Sequence, residues 1–488
     1  MQRAPADLGA PADRRHPPLS KSAVSWAFVE SGRSSYTILI AIYIFVPYLA
    51  SVLVSDPVKG QAIIANLGQG AGLAAALMAP LLGTTIDHVG RRKHLLVWAS
   101  LLSVPLGALL WLARPGGLDI TATATILAIV GVTFTLAEVV HNSLLVHAAR
   151  RDEWARASGL SLTLGNGAAV VLMIIVLWAF VLPGAVHLPF VPDKPLLGLN
   201  AARHEPERFT GPLCAVMMVL SLIPLMLFTR DAPASSLTTR QAIRQGLADL
   251  RGMLTLLKEA REARKFLIAR MIFMDAMGGV FAFTGVFAAG VLGWGPTQLL
   301  VEGIAGSVFA AVGGLVAGWL DPWLGCKRSL LFTLSGCLLC IIGEIGVGKD
   351  HIFFMAYDPA LNGRPWPLPL FNTWPEWLFI ACDFGVGVFS VSALASSRTF
   401  MAELAPPGRT TAFFGLFALS GRATAWLAPM LVGAATLGFH SQQMGYVPLA
   451  GLLLIGSLML APVRTPTEHV GADPAGLEAA PIREPTTV

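Results

Sequence analysis

The sequence contains few charged residues. Only 13% of the 488 residues are Asp, Glu, Lys or Arg, about half of the ~25% that is typical of soluble domains. Hydrophobic residues make up 55% of the chain, and the mean hydropathy is +0.66. This composition excludes an ordinary soluble globular protein and predicts a polytopic membrane protein. The formal charge of +5 comes with no segment that alternates cations with stacking aromatic residues, so we predict no nucleic-acid partner.

The sequence also lacks the motifs of common enzymes and ATP-driven pumps. It has no Ser-His-Asp nucleophile elbow and no His-Glu-x-x-His. Its nearest approach to a phosphate-binding loop, residues 343–349, lacks the Ser or Thr that should follow the lysine. The five cysteines lie in or beside apolar runs, and the Cys337–Cys340 pair has no second pair to complete a tetrahedral metal site. We therefore predict no enzyme, no cofactor and no metal.

Long apolar runs divide the chain into twelve predicted spans, because about twenty helical residues cross a bilayer core of roughly 30 Å. Residues 1–22 have no apolar core of a secretory signal and are predicted to be a disordered tail. The sequence then predicts a six-helix bundle (23–229), a cytoplasmic linker that is partly amphipathic helix (230–265), a second six-helix bundle (266–462) and a disordered tail (463–488). The excess of Lys and Arg in alternate loops places both termini in the cytoplasm.

A short charged hinge follows the second apolar run, and a degraded copy follows the eighth. The first hinge runs from Gly83 to Lys93 with three consecutive cations at its end, and the copy runs from Gly318 to Arg328. We expect these hinges to act as gating loops between neighbouring helices, with the residues Gly83, Asp87, Gly90, Arg91, Arg92, Asp321, Gly325 and Arg328.

The paired hinges resemble the loop signature of the major facilitator superfamily. That resemblance implies an all-α polytopic protein with twelve transmembrane helices in two pseudo-symmetric six-helix bundles, which rock by alternating access. The segments Trp26–Ser34, Phe266–Asp275 and Ser397–Pro406 further resemble the vacuole-effluxer-like family, whose fungal members are associated with amino acid export. The chain departs from that family's pattern at Val29, Glu30 and Arg33.

Charged and polar side chains within the apolar spans predict a substrate or proton pathway. Each charge at a bilayer centre costs about 2.5–3.5 kcal/mol, so such groups should face the protein interior or water. The candidates are Glu30, Arg33, Glu138, His141, Asn142, Asp275, Asp383 and Arg422. For Glu30 and Arg33, a simple ion pair near the membrane interface is the alternative. Arg422 is expected to be buried in the eleventh span, near 411–432.

The combined expectation is a secondary transporter that exports a small polar or zwitterionic, amino-acid-like solute. Lipid-like or drug-like efflux and a transport-dead receptor on the same fold are the alternatives. Protons are the expected coupling ion, with Asp275 or Glu138 as the titrating group; a structural hydrogen-bonding role for Asp275 remains equally open. We expect membrane lipid as surroundings and a functional monomer in the cell membrane, the inner membrane if the source is Gram-negative.

Overall fold

The computed structural model describes residues 18–54, 56–89, 91–115, 117–150, 153–184, 189, 191–231, 233, 237–353, 355–358, 362–366, 370–405 and 410–465. Helices of the amino-terminal half are α1 (Lys21–Leu53), α2 (Pro57–Val89), α3 (Arg92–Leu112), α4 (Ile120–Ala148), α5 (Trp154–Val176) and α6 (Glu205–Phe228). After α7 (Thr239–Glu259) follow α8 (Arg261–Leu292), α9 (Pro296–Leu324), α10 (Cys326–Ile345), α11 (Trp374–Leu404), α12 (Thr410–Ser420), α13 (Leu427–Phe439) and α14 (Gln442–Leu460).

Among the described residues, ten helices are long and apolar enough to cross a membrane, namely α1, α3, α4, α5, α6, α8, α9, α10, α11 and α14. The 33-residue α2 and the α12–α13 pair occupy the places of the second and eleventh predicted spans. Large apolar side chains such as Trp98, Leu315 and Leu339 are exposed on the outside, as lipid-facing residues should be. The all-α polytopic fold with two helical bundles is thus confirmed.

Each half has its own hydrophobic core. One core is built around Trp26, Phe45 and Met173 of the amino-terminal half. The other is built around Phe273, Phe400 and other large side chains of the carboxyl-terminal half. Between the halves lies the linker helix α7, which begins with a capping box at Thr238 and Gln241 and packs along α2. A capping box satisfies two backbone N–H groups at a helix start, and the linker is helical from Thr239 to Glu259.

Two helices begin earlier than the sequence predicts, for identifiable reasons. Helix α1 begins at Lys21, within the expected tail, because Ser20 caps it and is hydrogen-bonded to Glu153, in the turn between α4 and α5. Helix α6 begins at Glu205, although the charged residues before Pro212 predict an external loop and a span that starts near Pro212. There the charge of the buried Arg208 is compensated, since its guanidinium donates to the carbonyl oxygen of Trp111 (3.0 Å), lies over the Trp111 ring and pairs with Glu205 (3.6 Å). The remaining expected tail residues, 1–17 and 466–488, lie outside the described residues.

We call the end of the bundle where α1 begins and α14 finishes the terminal end, and the opposite end the distal end. At the distal end, a small antiparallel sheet follows α10, with strands β1 (Val347–Gly348), β2 (His351–Ile352) and β3 (Met355–Ala356). The register pairs Val347 with Ile352 and His351 with Ala356.

The two halves are joined at the distal end by α2 and α13. The side-chain amide of Gln61 donates to Thr436 Oγ1 (2.8 Å), and Gln442 Nε2 donates to the carbonyl oxygen of Pro57 (3.0 Å). Further along α2, a Cβ at Gly72 would collide with the carbonyl oxygen of Ala425, so glycine permits the close approach here. The halves are thus joined by hydrogen bonds at the distal end and by a close backbone approach near the middle of α2.

Candidate functional site

Four of the predicted pathway residues form one ion-pair network that crosses between the halves. In α1, Arg33 Nη2 donates to Glu30 Oε1 (2.7 Å), and Arg33 Nη1 lies 2.8 Å from Glu138 Oε2 on α4. The same Glu138 oxygen also accepts from Arg422 of the carboxyl-terminal half. Two guanidinium groups and two carboxylates therefore compensate each other, and the network has no net charge. Glu30 and Arg33 do form an ion pair, but this pair is part of a larger network that also includes Glu138 and Arg422.

His141 lies at the edge of this network, between Trp26 and Glu30. Its ring is buried and stacks on Trp26 at a centroid distance of 4.4 Å. His141 Nε2 lies 2.9 Å from the carbonyl oxygen of Trp26. Because a carbonyl only accepts, Nε2 carries a hydrogen. Nδ1 then faces Glu30 Oε2 at 4.0 Å, and would pair with it only as an imidazolium.

Asn142 is exposed, and no hydrogen bond among the described residues joins it to the network. One residue further along a helix turns a side chain by about 100°, so His141 and Asn142 point to different faces. Asn142 therefore does not share the face of α4 that carries the network. By contrast, Ser34 does join the network, since its hydroxyl donates to Glu30 Oε1 (3.0 Å).

The eleventh span is broken between α12 and α13, and Arg422 lies in the break. Its side chain is 40% exposed, so the expectation of a buried Arg422 was wrong. A broken helix frees backbone groups that need partners inside a membrane. Side chains of α8 supply them at both ends of the break.

Arg270 and Asp275 of α8 are these partners. Arg270 Nη1 donates to the carbonyl oxygen of Phe417 and to Ser420 Oγ, both at 2.7 Å, at the end of α12. Asp275 Oδ2 accepts from the backbone N–H of Ala428 (2.8 Å), in the first turn of α13. The cation meets the negative end of one helix dipole and the carboxylate meets the positive end of the next. This contact is the structural hydrogen-bonding role that the sequence left open for Asp275.

A cavity of about 330 Å³ lies between the halves. Its wall includes Ile38 and Tyr43 of α1, Asn166 of α5, Phe281 of α8 and Asp383 of α11. Arg33 precedes Ile38 by five residues, or about 7.5 Å of helix, so the ion-pair network lies on the terminal side of the cavity. A pocket of this size with a few polar groups suits a small solute.

Two buried acids near this cavity were missed by the sequence analysis. Glu302 of α9 and Glu344 of α10 are both buried, and among the described residues no donor reaches any of their carboxyl oxygens. Glu302 lies beside Asp383, and Glu344 lies at the distal end of α10. The available signal was a single acidic residue in each otherwise apolar span.

The gating-loop predictions are only partly covered by the structure. Gly83 and Asp87 belong to α2, but the side chain of Asp87 and all of Gly90 lie outside the described residues. Arg91 is exposed in a left-handed conformation, whereas Arg92 is buried and donates to the carbonyl oxygen of Ser143 (2.6 Å).

In the second copy, the helices leave almost no loop. Helix α9 continues through Asp321 to Leu324, and α10 begins at Cys326. Gly325 alone makes the turn, at φ 80°, a conformation that glycine adopts without strain. Asp321 accepts from Ser396 Oγ on α11 (2.6 Å), while Arg328 is exposed.

Solved structures share this architecture. A point mutant of the nucleoside transporter NupG superposes with a TM-score of 0.62 at 12% identity, over 90% of this chain and 98% of that chain. A POT family transporter in complex with 5-aminolevulinic acid gives 0.61 at 14% identity, over 90% and 95%. The fold is therefore that of a membrane transporter of the major facilitator type.

The profile of the family described as "Vacuole effluxer Atg22 like" matches residues 146–470, and the chain belongs to that family. "Uncharacterized MFS-type transporter YxiO" of Bacillus subtilis is 21% identical over 92% of this chain and 96% of its own length. "Autophagy-related protein 22-2" of Emericella nidulans is 26% identical over 40% of this chain. The alignment spans about a third (31%) of the length of that fungal relative.

Proposed function

We propose that the protein is a secondary transporter that exports a small zwitterionic, amino-acid-like solute by alternating access. The observation that carries this proposal is a network with zero net charge beside a cavity between the halves. The network consists of two carboxylates and two guanidinium groups, those of Glu30, Glu138, Arg33 and Arg422. A zwitterion carries the same two charges as one ion pair. It can therefore exchange with such a pair without leaving a charge unpaired.

The Glu138–Arg422 pair is the one that a solute would open. Both side chains are partly exposed, at 25% and 40%, whereas Glu30 is 10% exposed. A solute carboxylate would bind the guanidinium of Arg422 and its ammonium would bind Glu138. This pair joins the halves, so replacing it with solute contacts would release one half from the other. The solute would then have different affinities for the two conformations, which is what a ligand needs to shift their equilibrium.

Two of the similar proteins support an amino-acid-like solute and a transport function. The related POT family structure holds 5-aminolevulinic acid, which is itself an amino acid. The Bacillus subtilis relative aligned over most of its length is described as an MFS-type transporter. We further propose a cell-membrane location with both termini in the cytoplasm.

The test is counterflow in proteoliposomes loaded with unlabelled amino acids, with a carbon-14-labelled amino-acid mixture outside. Wild-type protein should exchange label. Arg422→Ala and Glu138→Gln should each lower the exchange rate about tenfold or more, because a charge-assisted hydrogen bond contributes about 1.5–3 kcal/mol. Lys59→Ala is the control, since it removes an exposed ion pair with Asp56 at the distal end.

Label that never exchanges with reconstituted, folded wild-type protein would contradict the amino-acid proposal. Exchange of a fluorescent lipid or a lipophilic dye by the same vesicles would then favour the lipid-like or drug-like alternative. An equal loss in Lys59→Ala would show that the network variants act through general damage.

A further inference from the structure

Two carboxyl groups lie side by side where the cavity meets the carboxyl-terminal half. A Cβ placed at Gly306 would be 3.2 Å from Glu302 Oε1, 3.8 Å from Asp383 Oδ2 and 3.8 Å from the hydroxyl of Tyr43. The two acids therefore converge on one point, from α9 and α11. Glu302 is 2% exposed, and among the described residues no N–H or O–H donates to either of its oxygens.

Asp383 has a different environment from its neighbour. It lines the cavity, and its Oδ1 accepts from the hydroxyl of Thr284 (3.3 Å). The hydroxyl of Tyr446 in turn donates to Thr284 Oγ1 (3.2 Å). This chain of donors suits an ionised Asp383. Glu302, whose oxygens receive no hydrogen bond among the described residues, suits a carboxylic acid that donates its own proton to Asp383.

The groups around the pair do not compensate two negative charges. The titratable side chains that face it are Tyr43 of α1, Glu344 and Cys340 of α10, Cys382 of α11 and Tyr446 of α14. None is a cation, and no Lys, Arg or His of the described residues forms an ion pair with Glu302 or Asp383. A buried charge that has no partner of opposite sign is strongly destabilising. Two carboxylates so close together cannot both remain ionised without a ligand.

We propose that Glu302 and Asp383 share one proton and form the proton-binding site of transport. Asp383 exchanges that proton with water in the cavity, and Glu302 holds it when the cavity is closed. No bond other than O–H forms or breaks, and the proton comes from and returns to cavity water. This inference rests on the proposed transport function, and it moves proton coupling away from Asp275 and Glu138.

The position of Tyr43 links this proton to the movement of the halves. Tyr43 belongs to the amino-terminal half, and its ring packs directly on Gly303, next to Glu302. Loss of the shared proton leaves two negative charges beneath this contact, and these charges attract water. Deprotonation therefore weakens the contact between α1 and α9, and protonation restores it.

The first experiment needs no substrate. The infrared difference spectrum of the purified protein between acidic and alkaline pH should show the C=O stretch of a protonated carboxyl that disappears on deprotonation. Glu302→Gln and Asp383→Asn should each remove this band. Asp350→Asn, at an exposed carboxylate bonded to His351, is the control and should retain it. A band that persists in both pair variants would overturn the proposal.

The second experiment uses unmodified protein, in case the pair variants do not fold. In proteoliposomes with labelled amino acids, one proton per solute should give about tenfold accumulation for each unit of imposed pH difference. Accumulation that follows a sodium gradient but ignores pH would overturn the proton proposal while keeping transport. Vesicles that move no amino acid would instead contradict the proposed function, and the infrared titration would still decide on the carboxyl pair.

Discussion

Replacement of Asp275 provides a direct test of how the break between α12 and α13 is held. Asp275 is buried and accepts from the backbone N–H of Ala428. Asp275→Ala leaves that N–H without an acceptor in a dry site, which costs about 1–3 kcal/mol. Asp275→Asn keeps a carbonyl acceptor and loses mainly the interaction of a full charge with the helix dipole, about 0.3–1 kcal/mol. We therefore expect the free energy of unfolding to fall in the order wild type, Asn, Ala.

The matched control is Asp119→Ala. Asp119 also accepts from a backbone N–H at a helix start, that of Ala122 (2.6 Å), but it is exposed at the distal end. Water can replace the lost acceptor there, so the cost should stay near the lower end of the roughly 0.5–2 kcal/mol range for helix caps. Thermal unfolding in detergent, with counterflow on the same samples, measures both effects.

Two outcomes would refute this reasoning. If Asp275→Ala is no more destabilised than Asp119→Ala, the bond to Ala428 does not hold the break. If Asp275→Asn is as stable as wild type but loses its response to a pH gradient, Asp275 is the proton carrier that the sequence suggested, and the cap is incidental.

Two further predictions concern the terminal end. Arg92→Ala should impair gradient-driven transport more than Arg91→Ala, because only Arg92 is buried and bonded, to Ser143; equal effects in well-expressed variants would contradict this. The backbone N–H of Arg150, with help from Ser20, holds the pKa of Glu153 below its usual range. Its stabilisation is therefore full above the ordinary carboxyl pKa of about 4.3 and is lost as pH falls through the lowered value. Thermal unfolding of Glu153→Gln should differ from wild type at pH 7 but converge with it at strongly acidic pH.

The sequence was sufficient for the fold because hydropathy and loop charge are properties of single segments. Each apolar run has a minimum length set by the bilayer, so most span boundaries could be placed within a few residues. The start of α6 was not predicted, because the charged residues from Glu205 to Arg208 are typical of a loop. Only the structure shows that Arg208 has a partner in Trp111. Hydropathy cannot show that a distant helix satisfies a charge.

The candidate site was predictable as a set of charges but not as a set of pairs. Glu138 and Arg422 are 284 positions apart, and only the packing of the two halves brings them together. Arg270 and Asp275 are five residues apart on α8, and by helical periodicity their side chains leave the helix in different directions. Both nevertheless contact the eleventh span, because its break presents one helix end to each of them. Glu302 carried a readable signal, since an acid in an apolar span demands a reason.

The polar groups follow an axial order that fits alternating access. From the terminal end come the ion-pair network, the cavity, the Glu302–Asp383 pair and the α2–α13 contacts. The compensated charges thus lie on the side where the cavity would take up a solute, and the uncompensated acids lie on the side where the halves are sealed. The break connects these regions, because Arg422 lies in the break just before α13 and Thr436 of the distal contact lies near the far end of α13. If the break and α13 move together as a rigid body, opening the Glu138–Arg422 pair and loosening the distal contact become one motion, and the caps at Arg270 and Asp275 set its pivot.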